Sequence, residues 1–246
     1  MREGRSLAGK ILYYALALLS AQLVAACSDD KPAADRTKAE QAAAAKPEPA
    51  ARQHAKLIVA FGDSLYAGYR LNQGEGFAPE LQRALIAQGV DASVHNAGVS
   101  GDTSAAGLQR LAFTLDGLPR KPDLVIVGLG GNDMLRGISP SETRANLDAI
   151  LAELDKREIP AVLTGMLAAP NLGKDYAEAF NAIYPDLARK HDVPLYPFFL
   201  KDVVGRRNLM LEDGIHPNAQ GVDLIVQHVA PVVAGRLAGA VAQAGS

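Results

Sequence analysis

Four short polar clusters hold the residues of this chain whose types and spacing could do chemistry. They are Gly62-Asp63-Ser64-Leu65, Asn96-Ala97-Gly98-Val99-Ser100-Gly101-Asp102-Thr103, Gly128-Leu129-Gly130-Gly131-Asn132-Asp133 and Asp213-Gly214-Ile215-His216-Pro217-Asn218. Ser64 could act as a nucleophile, and His216 as the base that takes its proton, because neutral imidazole is available near pH 7. Asp213 stands three residues before His216, close enough on one turn to bond the second ring nitrogen and fix the tautomer. Gly101 could bring a backbone amide close to a substrate, and Asn132 offers a side-chain NH2, so the two could hold the oxyanion of a tetrahedral intermediate. Together these are the requirements of acyl transfer. Taken singly, each residue has a plainer reading: Ser64 as a turn serine, Asp213 as a helix cap or Asx turn, His216 as a surface histidine, and Gly-Gly-Asn-Asp as a loop. Of the other histidines, His54 lies in a tether-like stretch, His191 and His228 on predicted helices, and His95 within a strand near the same edge.

The elements that must position these clusters alternate strand and helix. Residues 56–61 form a short apolar run, the pattern of a strand buried on both faces of a parallel sheet. Further strands are expected at 92–95, 123–127, 161–165 and 194–196. Helices are expected over 79–88, from a Thr103 cap through 111, from the Ser139-Pro140-Ser141-Glu142 capping box to about 157, and over 176–190 and 219–237. Short links in a βαβα series imply a doubly wound sheet covered by helices on both faces, with ligands beyond the carboxyl ends of the strands. All four clusters fall there, with Gly62 expected to let the backbone bend sharply into Ser64.

The blocks Gly-Asp-Ser-Leu, the glycine of the second cluster, Gly-Gly-Asn-Asp and Asp-Gly-Ile-His resemble, in order, those of the SGNH (GDSL) hydrolases. Residues 96–103, Leu135-Arg136-Gly137 and His216-Pro217-Asn218 are similar to the bacterial arylesterase and thioesterase I/lysophospholipase L1 group, and the likeness spans about residues 57–233. It implies a flavodoxin-like three-layer α/β/α sandwich with a five-stranded parallel sheet of order 2-1-3-4-5. It also implies hydrolysis of aryl esters, acyl thioesters or lysophospholipids through an acyl-enzyme, without a cofactor. By the same resemblance Ser64, His216 and Asp213 form the triad, and the Ser64 amide, the Gly101 amide and the Asn132 side chain bind the oxyanion. Two other readings stand beside it: an acyltransferase or polysaccharide deacetylase-type esterase with the same triad, and an inactive acyl- or glycan-binding lipoprotein, against which the presence of every triad and oxyanion residue counts.

Composition narrows the field. The chain is 48% hydrophobic and 21% charged with a formal charge of −2, which gives no pull towards nucleic acid. One cysteine, Cys27, excludes an intrachain disulfide and a multi-cysteine metal cluster. No His-Glu-x-x-His, Walker A or dinucleotide fingerprint occurs. Arg2, Arg5 and Lys10 precede an apolar run too short to span a bilayer comfortably, and Leu23-Val24-Ala25-Ala26-Cys27 resembles a lipobox, the plainer reading being a secretory signal or uncleaved anchor with an incidental cysteine. The expected organisation is a lipoprotein-type signal peptide over 1–26, a flexible tether over 27–55 and a hydrolase domain over 56–240. The expected location is the periplasm, with membrane contact through a lipidated Cys27, in the outer membrane.

Overall fold

A computed structural model describes residues 56–244. The leader, Cys27 and the tether lie outside the described residues. Five strands form one sheet: β1 (Lys56–Gly62), β2 (Ala92–Gly98), β3 (Leu124–Gly128), β4 (Ala161–Thr164) and β5 (Leu195–Tyr196). Every pairing is parallel and the order is β2-β1-β3-β4-β5, as expected. β3 and β4 are buried throughout and β1 from its second residue, whereas the edge strand β2 exposes Ser93, His95 and Asn96, three of its seven residues. That exposure is why β2 reads weakly in the sequence: an edge strand has only one side of its ladder and part of one face to bury.

Among the described residues eight α-helices accompany the strands: α1 (Ser64–Ala67), α2 (Phe77–Ala87), α3 (Ser104–Asp116), α4 (Gly131–Leu135), α5 (Pro140–Lys156), α6 (Lys174–Asn181), α7 (Ile183–Lys190) and α8 (Ala219–Ala244). α2 packs on α8, while α3 packs on α5 and α5 on α6 and α7. Right-handed crossovers require this division, because the step from β1 to β2 runs one way across the sheet and all later steps run the other. Thr103 and Ser139 cap α3 and α5 through their hydroxyls, with Pro140 opening α5.

The single helix expected over 176–190 is two. Pro185 has no N–H to give the Asn181 carbonyl, so the ladder is interrupted at Ala182, and the Asn181 side chain instead accepts from the Ala168 amide at 2.8 Å. The last helix runs on to Ala244. Ser64 is the first residue of α1, capped by the Asp63 carboxylate, which accepts from the Leu65 amide at 3.0 Å.

The end of the sheet nearest Ser64 is a row of glycines. Gly98, Gly62 and Gly128 stand opposite one another on β2, β1 and β3. Gly62 is not among the glycines at positive φ, so the sharp bend expected there is not its use. A Cβ on Gly62 would lie 2.5 Å from Tyr66 Cγ, one on Gly128 2.2 Å from Tyr66 Cε2, and one on Gly98 2.3 Å from the Ala67 nitrogen. The row is a flat floor on which α1 and the Tyr66 ring lie. Tyr66 is fully buried and its hydroxyl meets Thr164 Oγ1 at 2.7 Å, while its ring packs on Phe77 and Phe199. That hydroxyl pair is worth about 1 kcal/mol net, and it ties α1 to β4.

Candidate active site

Ser64 and His216 are 152 residues apart in the chain, and the fold brings them into contact. Ser64 Oγ lies 2.8 Å from His216 Nε2, and His216 Nδ1 lies 2.8 Å from Asp213 Oδ2. An ionised carboxylate only accepts, so Nδ1 carries the ring proton and Nε2 keeps the lone pair that faces the serine hydroxyl. The carboxylate is ionised with a wide margin. Burial alone would raise its pKa, but the amides of His216 and Ile215 and the imidazole outweigh that and hold Asp213 at about 2.

Asp213 divides its work between its two oxygens. Oδ1 accepts from the Ile215 amide at 2.9 Å and the His216 amide at 3.0 Å, closing an Asx turn, while Oδ2 faces the imidazole. The two contacts that the sequence offered as alternatives, a turn-closing cap and a bond to the imidazole, are both made by this one side chain. The segment is fixed at its ends by the Met210–Pro217 bridge and by Asn218, whose side chain accepts from the Gly221 amide to start α8. Tyr69 packs its ring on His216 at 4.4 Å between centroids, and the Arg70 guanidinium lies 5.3 Å over the Tyr69 ring.

Asn132 is the second residue of α4. Its Nδ2 donates to the Asp102 carbonyl at 2.9 Å and lies 3.5 Å from Asp63 Oδ2. Both neighbours accept, so the amide nitrogen, not its oxygen, faces this side. Asp133, fully buried beside it, accepts from the Ser104 amide at 2.7 Å, from the Ser104 hydroxyl and from Thr143 Oγ1, which locks α4 to the starts of α3 and α5. Gly101 lies in the turn closed by the Asp102 amide on the Val99 carbonyl, at φ 88°, and its carbonyl receives Arg136 at 2.8 Å. His95 pairs with Val59, three residues short of the glycine row, and takes no part in this cluster.

Asp63 is a residue that the sequence did not single out. It is buried beneath the site, and burial pushes its carboxyl up to about 6; the Leu65 amide and His216 partly offset this, while Asp102 and Asp133 add to it. Beside Ser64, His216 and Asn132 opens a cavity of about 550 Å³ with an apolar wall that includes Leu65, Met134, Met166, Phe198, Leu200 and Ile215. Such a lining suits a hydrocarbon chain, and Ser64 is part of its wall.

The chain matches the GDSL-like lipase/acylhydrolase family over residues 60–224. The arylesterase of Vibrio mimicus is 38% identical over 181 residues, covering 74% of this chain and 90% of that one. The thioesterase 1/protease 1/lysophospholipase L1 of Escherichia coli K12 is 40% identical over 176 residues, covering 72% and 82%. The crystal structure of AlinE4, an SGNH-hydrolase family esterase, superposes with a TM-score of 0.64 at 53% identity, covering 74% and 96%. On this fold, this site and these relatives, the chain belongs to the GDSL-like lipase/acylhydrolase family and is a carboxylic ester hydrolase.

Proposed function

We propose that the enzyme hydrolyses esters and thioesters of acyl chains through an acyl-enzyme on Ser64. The reading rests on the hydrogen-bonded series Ser64–His216–Asp213, whose Ser64 and His216 line an apolar cavity. His216 Nε2 takes the Ser64 proton as Oγ attacks the acyl carbonyl, and Asp213 stabilises the resulting imidazolium. The Ser64 amide at the start of α1, the Gly101 amide and Asn132 Nδ2 receive the oxyanion; an N1 amide has no carbonyl within its own helix to meet. His216 then returns the proton to the departing alcohol or thiol. Water, activated by the same imidazole, releases the acid and restores Ser64.

Aryl esters, acyl thioesters and lysophospholipids all present an acyl chain for the cavity, and the names of the relatives cited above span the same range. A purified domain assayed on p-nitrophenyl esters, acyl-CoAs and lysophosphatidylcholine beside Ser64→Ala tests the reading. The variant should lose activity on every substrate while remaining folded, and near-wild-type turnover would overturn it. The enzyme works in the periplasm on a lipid anchor at Cys27, a location supported by the lipobox-like run before that cysteine. Cys27→Ser should shift the protein out of the membrane fraction or block its maturation. Unchanged membrane retention refutes the anchor.

A further inference from the structure

Arg110 bonds to two of the four clusters, and through Asp102 reaches a third, without belonging to any of them. It projects from the middle of α3 with only a fifth of its side chain exposed, and its guanidinium lies 4.1 Å over the Phe61 ring. Nε donates to Asp102 Oδ2 at 2.6 Å, and one terminal nitrogen donates to the Gly62 carbonyl at 3.0 Å. Gly62 is two residues before Ser64. Asp102 follows Gly101 directly, and its carbonyl holds Asn132 Nδ2. The Val99 amide converges on the same Gly62 carbonyl at 3.0 Å. One planar cation therefore spans from the turn that carries the nucleophile to the turn that carries Gly101 and anchors Asn132.

We infer that Arg110 is a positioning residue that sets the distance between Ser64 and the oxyanion donors at Gly101 and Asn132. The inference rests on the proposed roles of those three residues. A guanidinium suits the task because its fork offers donors in two fixed directions, to a carboxylate and to a carbonyl, while it stacks on a ring; an ammonium is a single point of charge that reaches one partner at a time. Without the fork, the Asp102 carboxylate, 12% exposed, loses its cation and turns towards water. The Asp102 carbonyl and the Gly101 amide then move with it. Displacements on the order of 1 Å at such donors cost about 10²-fold in rate.

The experiment is a double-mutant cycle on p-nitrophenyl butyrate with Arg110→Met, Arg110→Lys, Asn132→Ala and the combined variants, with Ser64→Ala as the control for the site. Arg110→Met should lower kcat by about 10²-fold and Arg110→Lys by about 10-fold, with KM within about three-fold of wild type, since the donors act mainly when charge develops. In the Asn132→Ala background the Arg110 substitutions should cost several-fold less, because a donor they would misplace is already gone. A merely stabilising arginine would lower melting temperature and leave kcat of the folded protein alone, or would act additively with Asn132→Ala. Either result overturns the inference. If Arg110→Met does not fold, the Arg110→Lys arm decides alone. Activity retained in Ser64→Ala would overturn the underlying reading, whereas an inactive Ser64→Ala with additive Arg110 effects would overturn the inference by itself.

Discussion

Asp213→Asn separates the two jobs of one carboxylate. Asparagine keeps an oxygen for the Ile215 and His216 amides, so the Asx turn survives, and asparagine caps as well as aspartate does. At the other position an NH2 replaces Oδ2 and meets the Nδ1 proton of His216, so the favourable arrangement moves the ring proton to Nε2, where it blocks proton uptake from Ser64. The charge that stabilises imidazolium also goes. A unit pair about 4 Å apart is worth about 4 kcal/mol at an effective dielectric of 20 and about 1 kcal/mol in water. Asp213 has 25% of its side chain exposed, so this contribution falls between those limits, or about 5- to 10³-fold in rate. With the tautomer cost added, kcat for p-nitrophenyl butyrate at pH 8 should fall by about 10²- to 10⁴-fold, the upper figure being that of the corresponding change in a serine protease triad. Melting temperature should move by no more than about 2 °C. Turnover within five-fold of wild type at an unchanged melting temperature would refute the orienting role and leave a Ser64–His216 pair.

Asn132→Ala should lower kcat by about 10²–10³-fold with little change in KM, because the donor is needed when negative charge develops; a change confined to KM would make Asn132 a substrate-binding residue instead. Asp63→Asn should alter the pH dependence of stability. The folded carboxyl titrates near 6 against 3.8 when unfolded, so its stabilising contribution is complete below 3.8 and is lost as pH rises through 6. Thermal melts from pH 4 to 7 should therefore shift in favour of the variant over wild type by up to about 3 kcal/mol, and a flat difference would refute the raised pKa. Gly98→Ala should cost 3 kcal/mol or more, roughly the upper range for an overpacked core, and depress kcat, since its Cβ would strike the α1 backbone rather than a movable side chain. Wild-type melting and turnover in that variant would show that α1 can lift without consequence.

The sequence discloses those parts of this molecule that are local. Buried parallel strands write continuous apolar runs, a threonine cap and a capping box announce α3 and α5, and the Ser64, Asp213 and His216 residue types stand at strand ends, so the strands and that cluster were accessible, whereas the sheet order came only from the family resemblance. Short helices were not: α1 has four residues, too few to show a 3.6-residue period, and its cap is the carboxylate of Asp63 rather than a serine or threonine. The break at Ala182 could have been found from Pro185, whose missing donor is visible in the sequence. The reason for Gly62 could not, since a close approach by Tyr66 depends on where a ring four residues later lands. Arg110 and Tyr69 were invisible for the same cause. An arginine within a helix and a tyrosine after a glycine carry no spacing signal, and only tertiary packing turns them towards the site.

The glycine row also constrains how the sheet assembles. A slip of β2 against β1 by one residue turns its buried side chains outward and is rejected by hydrophobic burial alone. A slip by two keeps every face correct, and alternation cannot detect it. In that arrangement Asn96 or Ser100 would replace Gly98 opposite Gly62, and for β3 a shift in one direction would bring Ile126 under the Tyr66 ring. α1 could not then lie down, and Ser64 would be held away from His216. With Ser64 as the proposed nucleophile, seating of α1 becomes a check on strand registry: chains with a misaligned central sheet should be inactive, and recovery of ester hydrolysis on refolding should report that three strands have found their proper alignment.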